Sequence, residues 1–188
     1  KGRASKGHDF DLQSNVFETL PEVFFDDKPD SGDYIRILGR IDNQRCWKYI
    51  KRRYVTKVEN LDSYKLFLSK ANGTGQFGET LPDGILGRPG DGATITFLSI
   101  GSFETTGEVE MCAKYLKTKF ARALLGVLKA TQNGSKPVFR MISLQDFTTY
   151  SDIDWNKSVA EIDQQLYHKY DLTADEINFI ETHVKEMA

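Results

Sequence analysis

Apolar and polar positions alternate over much of the first hundred residues, as they do in half-buried β-strands. This alternation predicts strands over 34–38, 64–69 and 94–100. The segment 47–55 is aromatic, β-branched and basic, and it predicts a strand or a strand followed by a turn. Residues 72–92 contain seven glycines and two prolines, which predicts a long loop or several turns.

The period then changes to that of a helix. Apolar side chains recur at helical spacing over 107–132 and form one stripe, made of Val109, Cys112, Ala113, Leu116, Phe120, Ala123, Leu124, Val127 and Leu128. This stripe predicts a single long helix that begins at Thr106 or Gly107 and ends at Asn133-Gly134. A short strand is predicted next, over 138–142.

Two further helices are predicted at the end of the chain, one from Ser158 through Tyr167 and one from Thr173 to about Glu186. Threonine at 173 followed by glutamate at 176 is the signature of a capping box. Residues 1–14 are polar and are expected to be linker-like. The predicted organisation is a linker or boundary segment over 1–29, a domain over 30–150 and a helical appendage over 151–188.

The composition is that of a globular protein, with 39% hydrophobic and 28% charged residues. Two isolated cysteines, Cys46 and Cys112, are too few for a zinc site or a disulfide framework, and they predict reduced thiols in a cytoplasmic protein. No apolar run approaches the roughly 20 residues of a membrane span, and no secretory signal opens the sequence. Because the chain begins with Lys1, we expect it to be part of a longer protein.

The net charge of −2 conceals an asymmetry along the chain. Residues 141–188 carry three basic and ten acidic side chains, so the preceding residues carry 22 basic and 17 acidic ones. A basic body with an acidic tail is compatible with a polyanionic partner for the body, and equally with a solvated surface that aids solubility.

Three enzyme signatures are absent or incomplete. The glycines at 73, 75 and 78 match a dinucleotide-binding pattern, but the prolines and glycines that follow prevent the helix that this mechanism needs. A metal-dependent nuclease needs an acid-x-Lys triplet after Pro82-Asp83, and none follows. No Pro-Pro pair of an adenine methyltransferase is present. The histidines lie in polar segments and are predicted to be surface residues: His8, His168 and His183.

Basic and aromatic side chains interleave over 47–57, a composition typical of nucleic-acid surfaces. The glycine-rich loop downstream would present polar side chains that reach base edges. The candidate DNA contacts are therefore Lys48, Lys51, Arg52, Arg53, Lys70, Asn72, Thr74, Gln76 and Arg88. If the loop residues do not read bases, the next candidates are Arg36, Arg40 and Arg45. The alternative interpretation is that the basic segment is a solvent-exposed strand face and that the glycine-rich loop only connects two strands.

From residue 64 to the end, the sequence resembles the target recognition domain of bacterial restriction–modification proteins. The similarity lies in 64–75, 97–103, 115–125 and 142–147, where Ser143 stands in place of the family's usual proline. It continues through Asp154-Trp155, 162–170 and 172–181, the most specific stretch. About two thirds of the chain is covered, and type I specificity subunits carry a related domain.

This resemblance implies the C-terminal specificity domain of a type II protein fused to an N6-adenine DNA methyltransferase, sometimes with an endonuclease on the same chain. The expected fold is α+β, with a curved, mainly antiparallel sheet or partial β-barrel packed on the long helix. The expected partners are double-stranded DNA and the catalytic domains of the parent chain, with no membrane. S-adenosylmethionine, and Mg²⁺ where a nuclease is present, would belong to the parent, and no cofactor is expected in this fragment.

The fragment itself is expected to be non-catalytic. Within the family the residues that read bases vary with the target sequence, so no individual base contact follows from the resemblance. The alternatives are a divergent restriction endonuclease domain, which would cleave DNA with Mg²⁺, and a protein–protein docking module that uses the acidic helices. A small-molecule enzyme is a third alternative, but no constellation of base and nucleophile supports it.

The predicted capping box gives a first test. Thr173→Ala removes the hydroxyl that accepts from the first turn of the last helix, and should lower the free energy of unfolding by about 1 kcal/mol. Urea denaturation of the two proteins measures this difference. Equal midpoints would show that the threonine does not cap a helix.

Overall fold

The computed structural model describes residues 11–56, 58–71, 75–128, 138–139 and 142–187. Within these residues the fold is α+β, as expected, with seven strands and five α-helices. The strands are β1 Phe24–Phe25, β2 Tyr34–Ile41, β3 Gln44–Lys51, β4 Tyr64–Ser69, β5 Ile85–Gly87, β6 Asp91–Ala93 and β7 Phe97–Phe103. The helices are α1 Val16–Thr19, α2 Thr106–Lys117, α3 Lys119–Leu128, α4 Val159–Lys169 and α5 Ala174–His183.

The chain divides into two compact units, one of residues 1–68 with 85–102 and one of residues 69–84 with 103–188. The first unit holds two sheets, in the strand orders β1-β3-β2-β6 and β5-β4-β7. Most described pairs are antiparallel, whereas β2 and β6 run parallel. The described strands therefore form two separate mixed or antiparallel sheets and no closed barrel.

Strands β2 and β3 form a hairpin whose register is set by a two-residue turn. Asp42 and Asn43 both have positive φ, at 50° and 61°, as the type I′ turn of a tight hairpin requires. Eight residue pairs follow from this turn, starting with Ile41 opposite Gln44 and ending with Tyr34 opposite Lys51. The turn thus decides which side chains of the two strands share a face.

One face of the hairpin is the apolar core of the first unit. Ile35, Ile37 and Ile50 pack there against Phe17 and Phe24 of the preceding segment. The two phenylalanine rings meet edge to face at 4.8 Å between centroids. Val16, Phe17, Val23 and Phe24, which lie in the segment predicted as a linker or domain boundary over 1–29, pack in this core. The expected roles of the ranges 1–29, 30–150 and 151–188 stay predictions.

The opposite face of the hairpin is covered at one end by the second sheet. Leu38 of β2 packs against Phe67 of β4 and Phe97 of β7, and all three are almost fully buried. Trp47 borders this cluster, with its ring 6.2 Å from that of Phe67. The remainder of this face is not part of either apolar cluster, so it is available for polar and aromatic side chains.

The predicted long helix over 107–132 is wrong, because two helices occupy this stretch. Helix α2 ends at Lys117, and Thr118, which follows it, has an extended backbone with φ −60° and ψ 148°. Helix α3 begins at Lys119, and residues 129–132 lie outside the described residues. Of the strand predicted over 138–142, residues 138–139 are helical and 140–141 lie outside the described residues. The predicted packing of a long helix on the sheet stays a prediction.

The predicted positions of the two C-terminal helices are confirmed. Ser158 and Thr173 are their N-caps, and each forms a capping box with the glutamate three residues on. Strand β4 has the predicted bounds of 64–69, whereas β7 lies three residues further along than the predicted 94–100. Strand β5 lies within the segment 72–92 predicted as a long loop or several turns, and β6 begins there and ends one residue beyond it.

Close packing on the core face of the hairpin gives a second test. A Cβ on Gly39 would lie 2.3 Å from the nearest atom of the Phe17 ring. Gly39→Ala should therefore lower the free energy of unfolding by about 1–3 kcal/mol through overpacking. Gly107→Ala is the matched control, because the nearest atom to its Cβ is 3.8 Å away. That control should be neutral or stabilising by up to about 1 kcal/mol. Similar losses in both variants would contradict the close approach at Gly39.

Candidate nucleic-acid interface

Aromatic and basic side chains gather on the uncovered part of the hairpin face, at the end remote from its turn. Directly paired residues share a face, so the register places Tyr49 between Phe25 of β1 and Arg36 of β2. Tyr34 is paired with Lys51 on the same face. The rings of Phe25 and Tyr34 meet edge to face at 5.6 Å between centroids.

The short 3-10 turn Arg52–Tyr54 continues this surface. The guanidinium of Arg53 lies 5.1 Å from the centroid of the Tyr54 ring, and its Nη2 donates to the Tyr54 hydroxyl at 3.2 Å. This hydrogen bond lowers the pKa of Tyr54, and the ammonium of Lys51 acts in the same direction. Arg53 also interacts electrostatically with Tyr34. We name this surface the aromatic–basic face; it comprises Phe25, Tyr34, Tyr49, Lys51, Arg53 and Tyr54.

The aromatic–basic face exposes large apolar rings. Tyr54 is 52% and Phe25 40% exposed, and both rank among the exposed large hydrophobic side chains of the described residues. Tyr34, Tyr49 and Lys51 are half-buried. Exposed rings that lie together commonly mark a surface that binds a partner.

A buried carboxylate on the neighbouring strand β6 holds Arg36, which adjoins this face. Both carboxylate oxygens of Asp91 accept from Arg36, one from Nε at 3.0 Å and the other from Nη2 at 2.8 Å. The Asp91 side chain is 6% exposed, and it also accepts from the backbone N–H of Arg88 at 2.8 Å. The Arg36 guanidinium in turn lies 4.0 Å from the centroid of the Trp47 ring. The hydrogen bond to Asp91 raises the pKa of Arg36, which is held in one orientation.

A buried lysine completes this network. The ammonium of Lys65 donates to the backbone carbonyl oxygens of Leu61, at 2.8 Å, and Asp91, at 2.9 Å. Lys65 is only 1% exposed, and burial lowers its pKa to about 8. Sequence reasoning missed this residue, because an isolated lysine in an apolar strand gives no signal of which carbonyl groups surround it.

The predicted phosphate contacts do not form one surface. Lys48 lies on the opposite face of β3 from Lys51, and its ammonium pairs with Asp26 at 2.6 Å. Arg52 forms an ion pair with Asp62. Lys51 and Arg53 have no carboxylate partner among the described residues, so of the cations of the patch that the structure describes these two are available to an external anion.

The candidate loop residues are distributed over both units. Arg88 is exposed and lies in the turn between β5 and β6 of the first unit. Gln76 is exposed and Lys70 half-buried, and both belong to the second unit. Asn72 and Thr74 lie outside the described residues. Base contact by any of these five stays a prediction.

An acidic loop borders the aromatic–basic face. The segment 26–33 between β1 and β2 carries four exposed aspartates and one lysine. Asp33 acts electrostatically on Arg52, while Asp26 is engaged by Lys48. The electropositive area is therefore smaller than a count of basic residues in the sequence suggests.

The contributions of Phe25 and Tyr34 to this face were missed from sequence. The signal lay in the Asp42-Asn43 turn, because a two-residue hairpin centred there places Tyr34 opposite Lys51 and Arg36 opposite Tyr49. Of the reserve candidates, Arg36 is fixed by Asp91, Arg40 lies 5.7 Å from the ring centroid of Phe97, and Arg45 is exposed beside the turn.

The described residues contain no cluster of three or more histidine, cysteine, aspartate or glutamate side chains arranged to hold a metal ion. None of the helices in this part of the chain has the length and apolarity needed to cross a membrane.

Comparison of the chain with protein-family models, with curated proteins and with solved structures gave no significant match. The resemblance to target recognition domains stays a prediction from the sequence.

Burial of Lys65 predicts how stability varies with pH. Between pH about 8 and 10.5 the folded protein holds Lys65 neutral, whereas the unfolded chain keeps it protonated. The unfolded state then binds more protons, so raising the pH through this window should favour the folded state. The free energy of unfolding of the wild type, measured against Lys65→Met at each pH, should therefore increase from pH 8 to 10. A constant difference would show that this lysine is not desolvated in the fold.

Proposed function

We propose that the chain is a DNA-binding module that contacts its target through the aromatic–basic face. In this proposal it serves as the target recognition domain of a restriction–modification protein, whose methyltransferase and any nuclease lie elsewhere on the parent chain. The observation that carries the proposal is the juxtaposition of Lys51 and Arg53, both available to an external anion, with the exposed rings of Phe25 and Tyr54.

The physical support comes from what each kind of side chain supplies. Cations beside a surface neutralise phosphates and release counterions, which provides affinity without regard to sequence. Contacts to the backbone also fix register and orientation, so that other side chains reach the bases. Arg36 cannot act as a freely reaching base reader while both of its hydrogen-bonded nitrogens are held by Asp91. Within the same unit, the exposed Arg88 would then be a candidate reader.

This proposed role requires binding and positioning rather than chemistry within the chain. S-adenosylmethionine, and Mg²⁺ for cleavage, would be held by the other domains of the parent protein. The contribution of this chain is the free energy of association with double-stranded DNA and the choice of where the parent's active site comes to lie.

A second candidate function is docking to another protein domain, and the second unit provides the observation that favours it. Leu144 is 91%, Tyr150 92% and Val127 76% exposed. Exposed apolar side chains become a docking surface where they form one contiguous patch. Docking to the parent's catalytic domains is compatible with DNA binding by the first unit.

The DNA-binding proposal predicts a specific pattern among the basic residues. Lys51→Ala and Arg53→Ala should each weaken binding to duplex DNA of any sequence, and each should reduce the salt slope by about one. Fluorescence anisotropy with labelled duplexes over a range of salt concentrations measures both quantities.

Lys48→Ala is the matched control, because Lys48 lies on the same strand but on the opposite face and is already paired with Asp26. It should leave affinity and slope unchanged. An affinity that does not vary with salt, or an equal loss in all three variants, would remove the aromatic–basic face as a phosphate surface.

A further inference from the structure

We propose that the aromatic–basic face binds an unpaired nucleobase of DNA by stacking it on the exposed rings, rather than reading the edges of paired bases. This inference rests on the proposed function and narrows it to one kind of ligand. The face would hold a base that has left the duplex, or one in a single strand, while its cations hold the adjoining phosphates.

The side chains present favour stacking over edge recognition. Base edges are read best by paired hydrogen bonds from arginine, asparagine or glutamine. The face has no amide side chain, and two adjoining arginines are engaged, Arg36 by Asp91 and Arg52 by Asp62. Rings are plentiful instead, and every base presents a π-surface on which a tyrosine or phenylalanine stacks.

Both exposed rings have contacts that restrict their rotation. Arg53 lies over the Tyr54 ring and donates to its hydroxyl. Phe25 is braced by the edge-to-face contact with Tyr34 and by its pairing position beside Tyr49. A ring that is already ordered loses little conformational freedom when a base stacks on it, which favours binding.

The charges around the face favour an unpaired segment over an intact duplex. Lys51 and Arg53 have no carboxylate partner among the described residues, while the adjoining loop over 26–33 carries three exposed aspartates besides Asp26, which is paired with Lys48. A duplex presents one phosphate per about 1.7 Å of its axis, and a single strand presents about half that density. The bordering carboxylates therefore repel a duplex more strongly than a single strand.

The test uses two labelled duplexes. One is fully paired. The other, the bulged duplex, has the same sequence with a single unpaired position, occupied by 2-aminopurine in place of adenine. Anisotropy gives affinity, and quenching of 2-aminopurine fluorescence reports stacking. The variants are Tyr54→Leu and Phe25→Leu, which remove a ring, and Tyr54→Phe, which keeps the ring without its hydroxyl. Tyr150→Leu is the control, because Tyr150 is an exposed tyrosine of the second unit.

The wild type should bind the bulged duplex more tightly than the paired one and quench its fluorescence. Tyr54→Leu and Phe25→Leu should weaken binding to the bulged duplex by about tenfold and reduce the quenching, with affinity for the paired duplex unchanged. Tyr150→Leu should behave as the wild type. Tyr54→Phe should keep the quenching and lose less affinity than Tyr54→Leu, because it keeps the ring but loses the hydrogen bond from Arg53.

Equal wild-type affinity for the two duplexes, with no quenching, would overturn the stacking inference but leave the DNA-binding proposal standing. The same loss in Tyr150→Leu would also overturn it, because the effect would not belong to this face. Absence of binding to either duplex would overturn both proposals.

Discussion

The buried carboxylate of Asp91 is the constraint on which the first unit depends. A charge removed from water is tolerated only when its lone pairs are satisfied, and here Arg36 and the N–H of Arg88 satisfy them. The backbone carbonyl of the same residue accepts from Lys65. One residue therefore ties strand β6 to β2 and to β4, and it fixes the arginine that lies over Trp47. The proposed interface is built on the surface that this network holds rigid.

In the second unit, opposite charges take the place of the missing backbone hydrogen bonds at the break between α2 and α3. The carboxylate of Asp163 accepts the N–H groups of Lys119 and Phe120 at the start of α3, at 2.9 and 2.8 Å. The Nε of Arg122 donates to the carbonyl oxygens of Lys117 and Thr118 at the end of α2. Each charge thus meets the helix end that favours it. Burial raises the pKa of Asp163 to about 6, which is the electrostatic cost of this arrangement.

This break explains why part of the fold was predictable and part was not. The capping box at Thr173 and strand β4 follow from neighbouring residues, so the sequence pattern located them. The apolar stripe over 107–128 keeps its phase across Thr118, and the local mark of an interruption is Thr118 itself, whose hydroxyl accepts from the N–H of Ala121 at 3.1 Å as a helix N-cap does. The group that stabilises the break, Asp163, lies 44 residues away from Lys119. Strands β5 and β6 are three residues each, too short for periodicity to appear.

The sequence predicted the residue types of the candidate site, but not which individual residues lie together on its surface. Basic residues at 48, 51, 52 and 53 are adjacent in sequence, yet strand alternation sends Lys48 to the far face, and Asp62 occupies Arg52. A carboxylate distant in sequence removes a cation from the surface as effectively as a substitution would. The quantity that bears on phosphate binding is therefore the charge left unpaired on one face, not the charge counted along the chain. Because only Lys51 and Arg53 are counted by that measure, the exposed rings beside them matter as much for the proposed binding as the cations do. An aromatic surface of this kind suits a stacked base.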